Sequence, residues 1–461
     1  MNKNHNTFIK LLLLIFIIKY NMNRWWFYKH QRITMLLNNE FLHYSFLYST
    51  NKNFDNVFRF IISLKNQVND TALKRAVITT FKRYPYFTVK LTSSNNTYDV
   101  VFNDNPIVVT KGEKTICLGT KEANYHYISI GYNNKNIYID VYHSLTDAGG
   151  ITPLAKTLMY YYHFETTGEY PDKTDILTID DPISPEEYKN PVEDIKEYPD
   201  KPDYEYHEIK AYNLGLRDYD TPNEKKIYLI TISEDQFADY AKAHKGSINT
   251  TIATLFTIAV NQCVSTTERN SQPIVPGIAM STKKLIGAEN SYANMVALAN
   301  IEFDSIDGLS IENLNEEGRI QLKKQTELQN ILYSIKSRPN LVAYLKNLPN
   351  DDERKDLYYK MILRMKARNS FFVSYLGKQN WKALENDIDS IFVVSEADNH
   401  SMEINLYAVN GKFCIAMAQN FGTSKYIKAF LSVLDNENIH YQLEGFNDII
   451  LPSVKTTEIF C

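Results

Sequence analysis

A chain of 461 residues is long for one small core, and a prior of roughly 150 residues per domain suggests two or three units. Its 44% hydrophobic and 23% charged content is ordinary for a globular protein and excludes a disordered or fibrous one. A formal net charge of −4, with no Lys/Arg-rich run, argues against a nucleic-acid binder.

Four scattered cysteines (Cys117, Cys263, Cys414 and Cys461) show no C-x-x-C and no metal-type spacing to histidine. A disulfide framework and a structural zinc are therefore not expected, and a reducing, cytoplasmic compartment fits. The N-terminus carries "LLLLIFII", residues 11–18, between Lys10 and Lys19. That run is too short to span about 30 Å of hydrocarbon as a helix. A signal peptide would need a small-residue cleavage site, and none follows. Residues 1–21 thus read as a leader or an upstream misread start, with Met22 and Met35 as alternative starts and a membrane-associating tail as the rival reading. Trp25 and Trp26 are expected to pack in a core or at an edge.

Residues 69–84 are predicted to be helical: Asn69 or Asp70 caps, Leu73, Val77 and Phe81 share one face, and Pro85 ends the run. "YFTVKL" and "YDVVF" read as extended. "YHYISIGYNNKNIYIDVYH" reads as a hairpin around an Asn-rich turn. After His143 the period changes. Gly149 and Gly150 are expected to make a turn, Thr152 to cap a helix, and Pro153 to open it. Leu154, Leu158 and Tyr161 or Tyr162 then form its buried stripe. His143 and Asp147 accordingly sit on a strand–turn–helix junction, a stronger context than the short His-x-x-x-Asp motif alone.

Residues 171–206 hold six prolines and twelve carboxylates against four lysines, the composition of a solvated crossover rather than core. This divides the chain into a leader (1–21), an N-terminal lobe (22–170), a crossover (171–222) and a C-terminal lobe (223–461). The second half restarts with "IYLITI", then a capping box of Ser233 and Gln236 opens a helix closed by Gly246. A helix from about Thr251 to Cys263 follows. "PIVPGIAMS" and "MVALANIEF" read as strands, residues 311–367 as a long helical region, and "SFFVSYLG" as strand and turn. "INLYAVNGKFCIAMAQN" is a hairpin, with Asn410-Gly411 suited to a type I′ turn. A last helix, residues 423–434, buries Tyr426, Ile427, Phe430, Leu431 and Leu434. Both halves mix strands and helices, as two α/β layers of similar kind.

"LKRAVITTFKRYPYF", "YIDVYHSLTDAGG" opening a helix, the acidic crossover, "NSYANM" and "FFVSYLG" follow one another in an order that resembles the chloramphenicol-acetyltransferase-like superfamily. That group includes alcohol O-acetyltransferases and the condensation domains of nonribosomal peptide synthetases. The resemblance covers roughly residues 22–445 and is nearest the stand-alone alcohol O-acetyltransferases, where a His-x-L-x-Asp-G-x-G stretch is usual. It implies an α/β (mixed α+β) fold of two similar lobes, each a mixed sheet with helices, and an active-site tunnel between them.

The same resemblance implies His143 in that tunnel as general base. It implies a mainly structural Asp147, held through hydrogen bonds or a basic partner, and Gly149 and Gly150 as the tight turn. Ser374 to Gly377 correspond to a second motif near the tunnel, and Asn294 to an asparagine of the second half. Ser374, Gly377, Asn294 and Tyr142 are the expected substrate-binding positions; the rival readings are an ordinary turn serine for Ser374, a structural residue ending a strand for Asn294 and packing for Tyr142. Three departures bear on acceptor choice and loop geometry. Tyr142 stands where many relatives have a second histidine, Ala148 stands where glycine is commoner, and "SYLG" replaces the aromatic Gly-rich motif of plant acyltransferases.

Acyl transfer from a thioester to an alcohol or amine needs a base near neutral pH, and imidazole, with an unperturbed pKa of about 6.5, suits it. The oxyanion needs donors, for which the Ser374 hydroxyl and the backbone N–H groups at Gly149–Thr152 are candidates. No covalent enzyme intermediate is implied, since G-x-S-x-G is absent and no cysteine lies near His143 in sequence. The expected function is transfer of an acetyl or longer acyl group from a CoA thioester to a small-molecule hydroxyl. The expectation includes no bound cofactor, no metal and no nucleic-acid partner, with membrane association left as the rival reading of the N-terminal tail. The rivals are a free-standing condensation enzyme fed by an acyl carrier protein and a catalytically silent two-lobed binding protein.

Overall fold

The computed structural model describes residues 50, 55–94, 97–112, 115–204, 207–215, 222–303, 306–397, 401–446, 451 and 453. The apolar run at 11–18, Met22, Met35, Trp25 and Trp26 lie outside them, as does Cys461.

Strand β1 (Val57–Leu64) is followed by helix α1 (Asp70–Arg83), where Asn69 Oδ1 accepts the Ala72 N–H at 3.1 Å. Leu73, Val77 and Phe81 are buried, and Pro85 follows the capping residue Tyr84. Strands β2 (Val89–Ser94) and β3 (Thr97–Phe102) pair only with each other, and β4 (Val109–Lys111) runs parallel to β5 (Ile128–Asn133). β5 and β6 (Asn136–Tyr142) form the expected hairpin, with Asn134 at φ 41° in its turn.

Helix α2 (Ala148–Thr167) corrects the predicted start. Asp147, not Thr152, is its N-cap, accepting the Gly150 N–H at 2.7 Å. Gly149 and Gly150 are therefore the second and third helical residues rather than a turn, and Pro153 lies inside the helix. A carboxylate placed three residues before an unpaired N–H captures it, and that starts the helix earlier than a hydroxyl at 152 could. Leu154, Leu158, Tyr161 and Tyr162 are buried.

The crossover is less solvated than its composition predicts. Its one-turn helix α3 (Pro185–Tyr188) buries Glu187 and Tyr188, and Ile176 and Val192 are buried too. Glu187 is tolerated there because it is paired, as described below.

In the second half, β7 (Pro222–Ser233) leads into α4 (Glu234–Ala243). Ser233 Oγ accepts the Gln236 N–H, but the Gln236 side chain turns to Asn438 O, so only half of the capping box forms. Lys245, at φ 55°, and not Gly246, takes the left-handed position after this helix. Helix α5 (Ile248–Cys263) begins three residues earlier than predicted, capped by Ser247, and α6 (Thr266–Ser271) follows. Strands β8 (Pro276–Ser281) and β9 (Val296–Asn300) precede three helices where one long region was predicted: α7 (Ile311–Gln325), α8 (Leu328–Lys346) and α9 (Asp351–Lys366). Then come β10 (Phe371–Lys378), β11 (Ile388–Ser395), the hairpin β12 (Met402–Val409) and β13 (Lys412–Phe421), α10 (Lys425–Asn436) and β14 (Tyr441–Phe446). Asn410 and Gly411 have φ 53° and 70°, as a type I′ turn requires.

Two sheets organise these parts: a five-stranded one in the order β11-β1-β6-β5-β4 and a seven-stranded one in the order β14-β7-β13-β12-β10-β8-β9. β11 belongs by sequence to the second half yet pairs antiparallel with β1, from Phe58↔Ser395 to Leu64↔Ile388. β13 shows how the larger sheet is buried on both faces. Phe413, Ile415 and Met417 join the core around Phe256 and Phe430, while Cys414, Ala416 and Ala418 join the core around Phe60 and Ile391. Alternate residues point to opposite faces, and the small ones let the crossing strand approach closely. Among the described residues, no helix is long and apolar enough to cross a membrane.

Candidate active site

β6 ends at Tyr142, and His143 is the first residue beyond it. The His143 N–H donates to Asn56 O at 2.9 Å, so the β1–β6 pairing continues one step past the strand and fixes where the ring emerges. Asn56 adopts φ 56°, and its own N–H donates to Glu396 Oε2 at 2.9 Å, as does that of Asp55 at 2.7 Å. Lys225 Nζ donates to the other Glu396 oxygen at 2.7 Å. Burial pushes the Glu396 carboxyl above its ordinary range, against the pull of Lys225.

The His143 ring meets Phe58 edge-on, with centroids 5.0 Å apart. Its Nδ1 lies 2.9 Å from Nδ2 of Asn294, whose Oδ1 accepts the Val296 N–H at 3.2 Å. Burial pushes the imidazole below its ordinary value of 6.5, while the carbonyls of His143 and Thr146 and the charge of Asp147 pull the other way. Desolvation wins, which keeps the ring neutral at neutral pH.

The Asp147 carboxylate is held from both halves of the chain. Oδ1 accepts from Gly150 N at 2.7 Å and Lys283 Nζ at 2.9 Å, and Oδ2 accepts from Met295 N at 3.2 Å. The Asp147 and Lys283 side chains are 6% and 8% exposed, so this ion pair is shielded from water. One residue earlier, Thr146 Oγ1 donates to Tyr292 O at 2.7 Å. A Cβ at position 150 would stand 2.7 Å from that Tyr292 oxygen and 2.1 Å from Thr146 Oγ1, so glycine serves close approach here.

Ser374, half-buried on β10, stands in register between Ala279 of β8 and Asn405 of β12. Gly377 has φ +79° with open space where a Cβ would lie. Leu376 makes this segment's approach to α2, its Cδ2 3.9 Å from where a Gly149 Cβ would sit. Tyr142 is fully buried; its hydroxyl shares a 2.8 Å hydrogen bond with Thr50 Oγ1, and its ring packs 5.4 Å from Tyr127. His143, Asp147, Gly149, Gly150 and Asn294 are thus brought together. Tyr142 is turned into packing.

Sequence reasoning missed Asn56, Phe58, Lys283, Tyr292, Glu187 and Glu396. It also missed the pair Arg59–Asp140 beneath the site, directly opposite one another on β1 and β6 with hydrogen bonds of 2.5 and 2.9 Å. Arg59 in the apolar run "VFRFIISL" was the legible signal, because a charge in a buried strand implies a partner. Nothing in the sequence marks Lys283. Among the described residues, no group of three or more His, Cys, Asp or Glu side chains could hold a metal ion.

The two-lobed, mixed α/β fold is shared with solved structures of low sequence identity. Among solved structures, the chain is similar to polyketide synthase associated protein 5 from Mycobacterium tuberculosis, with TM-score 0.56, 14% identity, and coverage of 85% of this chain and 96% of that one. It is similar to F. graminearum TRI101 complexed with coenzyme A and T-2 mycotoxin, with TM-score 0.54, 12% identity, and coverage of 85% and 97%. It is also similar to TRI3 trichothecene 15-O-acetyltransferase from Fusarium sporotrichioides, with TM-score 0.54, 11% identity, and coverage of 86% and 93%. No family model and no curated protein sequence matches the chain.

Proposed function

We propose that this chain is an acyltransferase that moves an acetyl or longer acyl group from a coenzyme A thioester to a small-molecule hydroxyl, with His143 as general base. The observation that carries this reading is the half-buried imidazole at the end of β6, placed by Asn56, Phe58 and Asn294. The fold-level likeness to a structure holding coenzyme A with a mycotoxin, and to a 15-O-acetyltransferase, supports the choice of donor and acceptor class.

In the proposed reaction the two substrates meet at His143 in a channel between the lobes. The acceptor oxygen attacks the thioester carbon while its proton passes to the ring. The tetrahedral intermediate then collapses, the C–S bond breaks, and the departing thiolate takes the proton back from the imidazolium. For Nε2 to be the base, Nδ1 must carry the ring proton; the His143 carbonyl favours that tautomer and the Asn294 amide, whose Nδ2 faces Nδ1, opposes it. Asp147 acts by position: with its carboxylate held by Gly150, Lys283 and Met295, it locks the loop that follows His143. The N–H groups of Gly150 and Ile151 both donate to Asp147, which favours the Ser374 hydroxyl as oxyanion donor.

The test is product mass spectrometry after incubating the protein with acetyl-CoA and a panel of alcohols and amines. Esters formed by the native protein support the reading. Amides alone would move the acceptor class to amines, and no acylated product with short or long donors would overturn it.

A further inference from the structure

Glu187 comes from the Pro- and acid-rich crossover, yet it is one of the most heavily hydrogen-bonded carboxylates in the described residues. Arg83 Nη1 and Nη2 donate to its two oxygens at 2.8 Å each, Tyr86 Oη donates at 3.0 Å and Ser184 N at 2.9 Å. The Ser184 contact is enough to cap a one-turn helix. The other three reach from the first lobe, and burial makes them matter, since the Arg83 and Glu187 side chains are 1% and 6% exposed.

The main chain of Glu187 continues the link. Its carbonyl accepts the Tyr292 N–H at 2.9 Å, and the Tyr292 carbonyl accepts from Thr146 Oγ1 at 2.7 Å. The Tyr292 ring stacks on Tyr86, with centroids 5.0 Å apart and planes at 23°, and meets Tyr84 edge-on at 5.9 Å. Burial raises the phenols of Tyr84 and Tyr86 well above 10.0 and pushes Tyr292 up to about 12, so all three stay neutral packing groups. Two residues beyond Tyr292, Asn294 stands against the His143 ring, and Met295 N donates to Asp147. Residues 291–295 are therefore tied to the crossover at one end and to the His143 loop at the other.

We propose that the Arg83–Glu187 pair is a positioning device for His143: it holds the crossover against Tyr292 so that Asn294 is pressed onto the imidazole. The proposal builds on the reading of His143 as a base, but its structural core concerns the ring's position and burial. Glu187 is a positioning residue and touches no reacting atom. A buried ion pair that served only as glue would be replaceable by apolar side chains of similar volume without consequence for the ring.

The experiment follows the His143 ring by nitrogen-15 NMR titration in the full chain, beside steady-state kinetics. It compares the native protein with Glu187→Gln and with the double variant Arg83→Met/Glu187→Leu, which removes both charges and leaves none stranded. The expected result for folded variants is a His143 pKa that rises toward 6.5 as the ring gains water. The kcat is expected to fall about 10-fold to 100-fold, with KM changed by no more than about twofold. A folded double variant with unchanged titration and kcat would overturn the proposal. If neither variant folds, Thr146→Val, which cuts the other tie on Tyr292, takes their place: the same rise supports the proposal and an unchanged titration overturns it. Should the native protein transfer no acyl group, the NMR result still decides the positioning claim, and only the catalytic reading falls.

Discussion

Nδ2 of Asn294 stands 2.9 Å from Nδ1 of His143, joining the β8–β9 connection to the end of β6. An amide NH2 can only donate, and the Val296 N–H on Oδ1 holds the amide in this orientation. A neutral ring in this contact accepts at Nδ1 and carries its proton on Nε2. The His143 carbonyl favours the opposite tautomer, so the two neighbours compete over one nitrogen.

Asn294→Asp should settle that competition. A carboxylate oxygen accepts the Nδ1–H, favours the tautomer with a basic Nε2 and stabilises the imidazolium. The acid limb of the pH–rate profile should move to higher pH, and the nitrogen-15 shifts of the ring should report a larger share of the ring proton on Nδ1. A profile and ring shifts identical to the native ones would show that Asn294 does not govern the ring.

In the native protein, burial places the His143 pKa below 6.5. The sign for stability follows. Between the folded pKa and 6.5 the unfolded chain binds more protons than the folded one, so this group's contribution is fully present above 6.5. It is lost as pH falls through that window. Activity should likewise hold to below pH 6.5 before its acid limb begins. Urea denaturation and initial rates across the acid range check both. A limb above 6.5 would contradict the burial argument.

Lys283 tests the buried pair with Asp147. Lys283→Met leaves a buried carboxylate with only two backbone donors, and the expected destabilisation is about 3–5 kcal/mol. Asp147→Asn in the same background removes the stranded charge and should recover part of that loss. Equilibrium unfolding of the single and double variants measures the coupling, and additive effects would contradict a direct pair.

The two glycines of α2 should behave differently. Gly150→Ala puts a Cβ 2.7 Å from the Tyr292 carbonyl, and overpacking of this kind costs typically about 1–3 kcal/mol. At Gly149 the nearest atom is Asp147 Oδ1 at 3.3 Å, so the better helix propensity of alanine offsets a mild squeeze. Gly149→Ala should therefore fall close to the native thermal midpoint and Gly150→Ala well below it. The reverse order would contradict the Gly150–Tyr292 approach.

Local signals carried much of the fold. The Asn69 cap, the Asn410-Gly411 turn and the alternating runs of β5, β6, β12 and β13 depend on neighbours in sequence, and all formed as read. The start of α2 misled because Thr152 and Pro153 satisfy the capping pattern, while the Asp147 carboxylate satisfies the same need five residues earlier. The crossing of β11 into the first sheet was not legible, since "IDSIFVVS" reads as a buried strand whichever sheet receives it. In the candidate site, His143 and Asp147 were visible as a motif at a junction. Lys283, Glu187 and Tyr292 were not, because each acts through a partner more than 100 positions away in the chain.

The most direct measurement is thiol release from acetyl-CoA in the presence of an accepted alcohol, by the native protein and by His143→Ala, with folding of both checked by thermal unfolding. General-base catalysis by His143 predicts a loss of at least about 10²-fold in the folded variant. Equal rates in the two proteins would contradict the account.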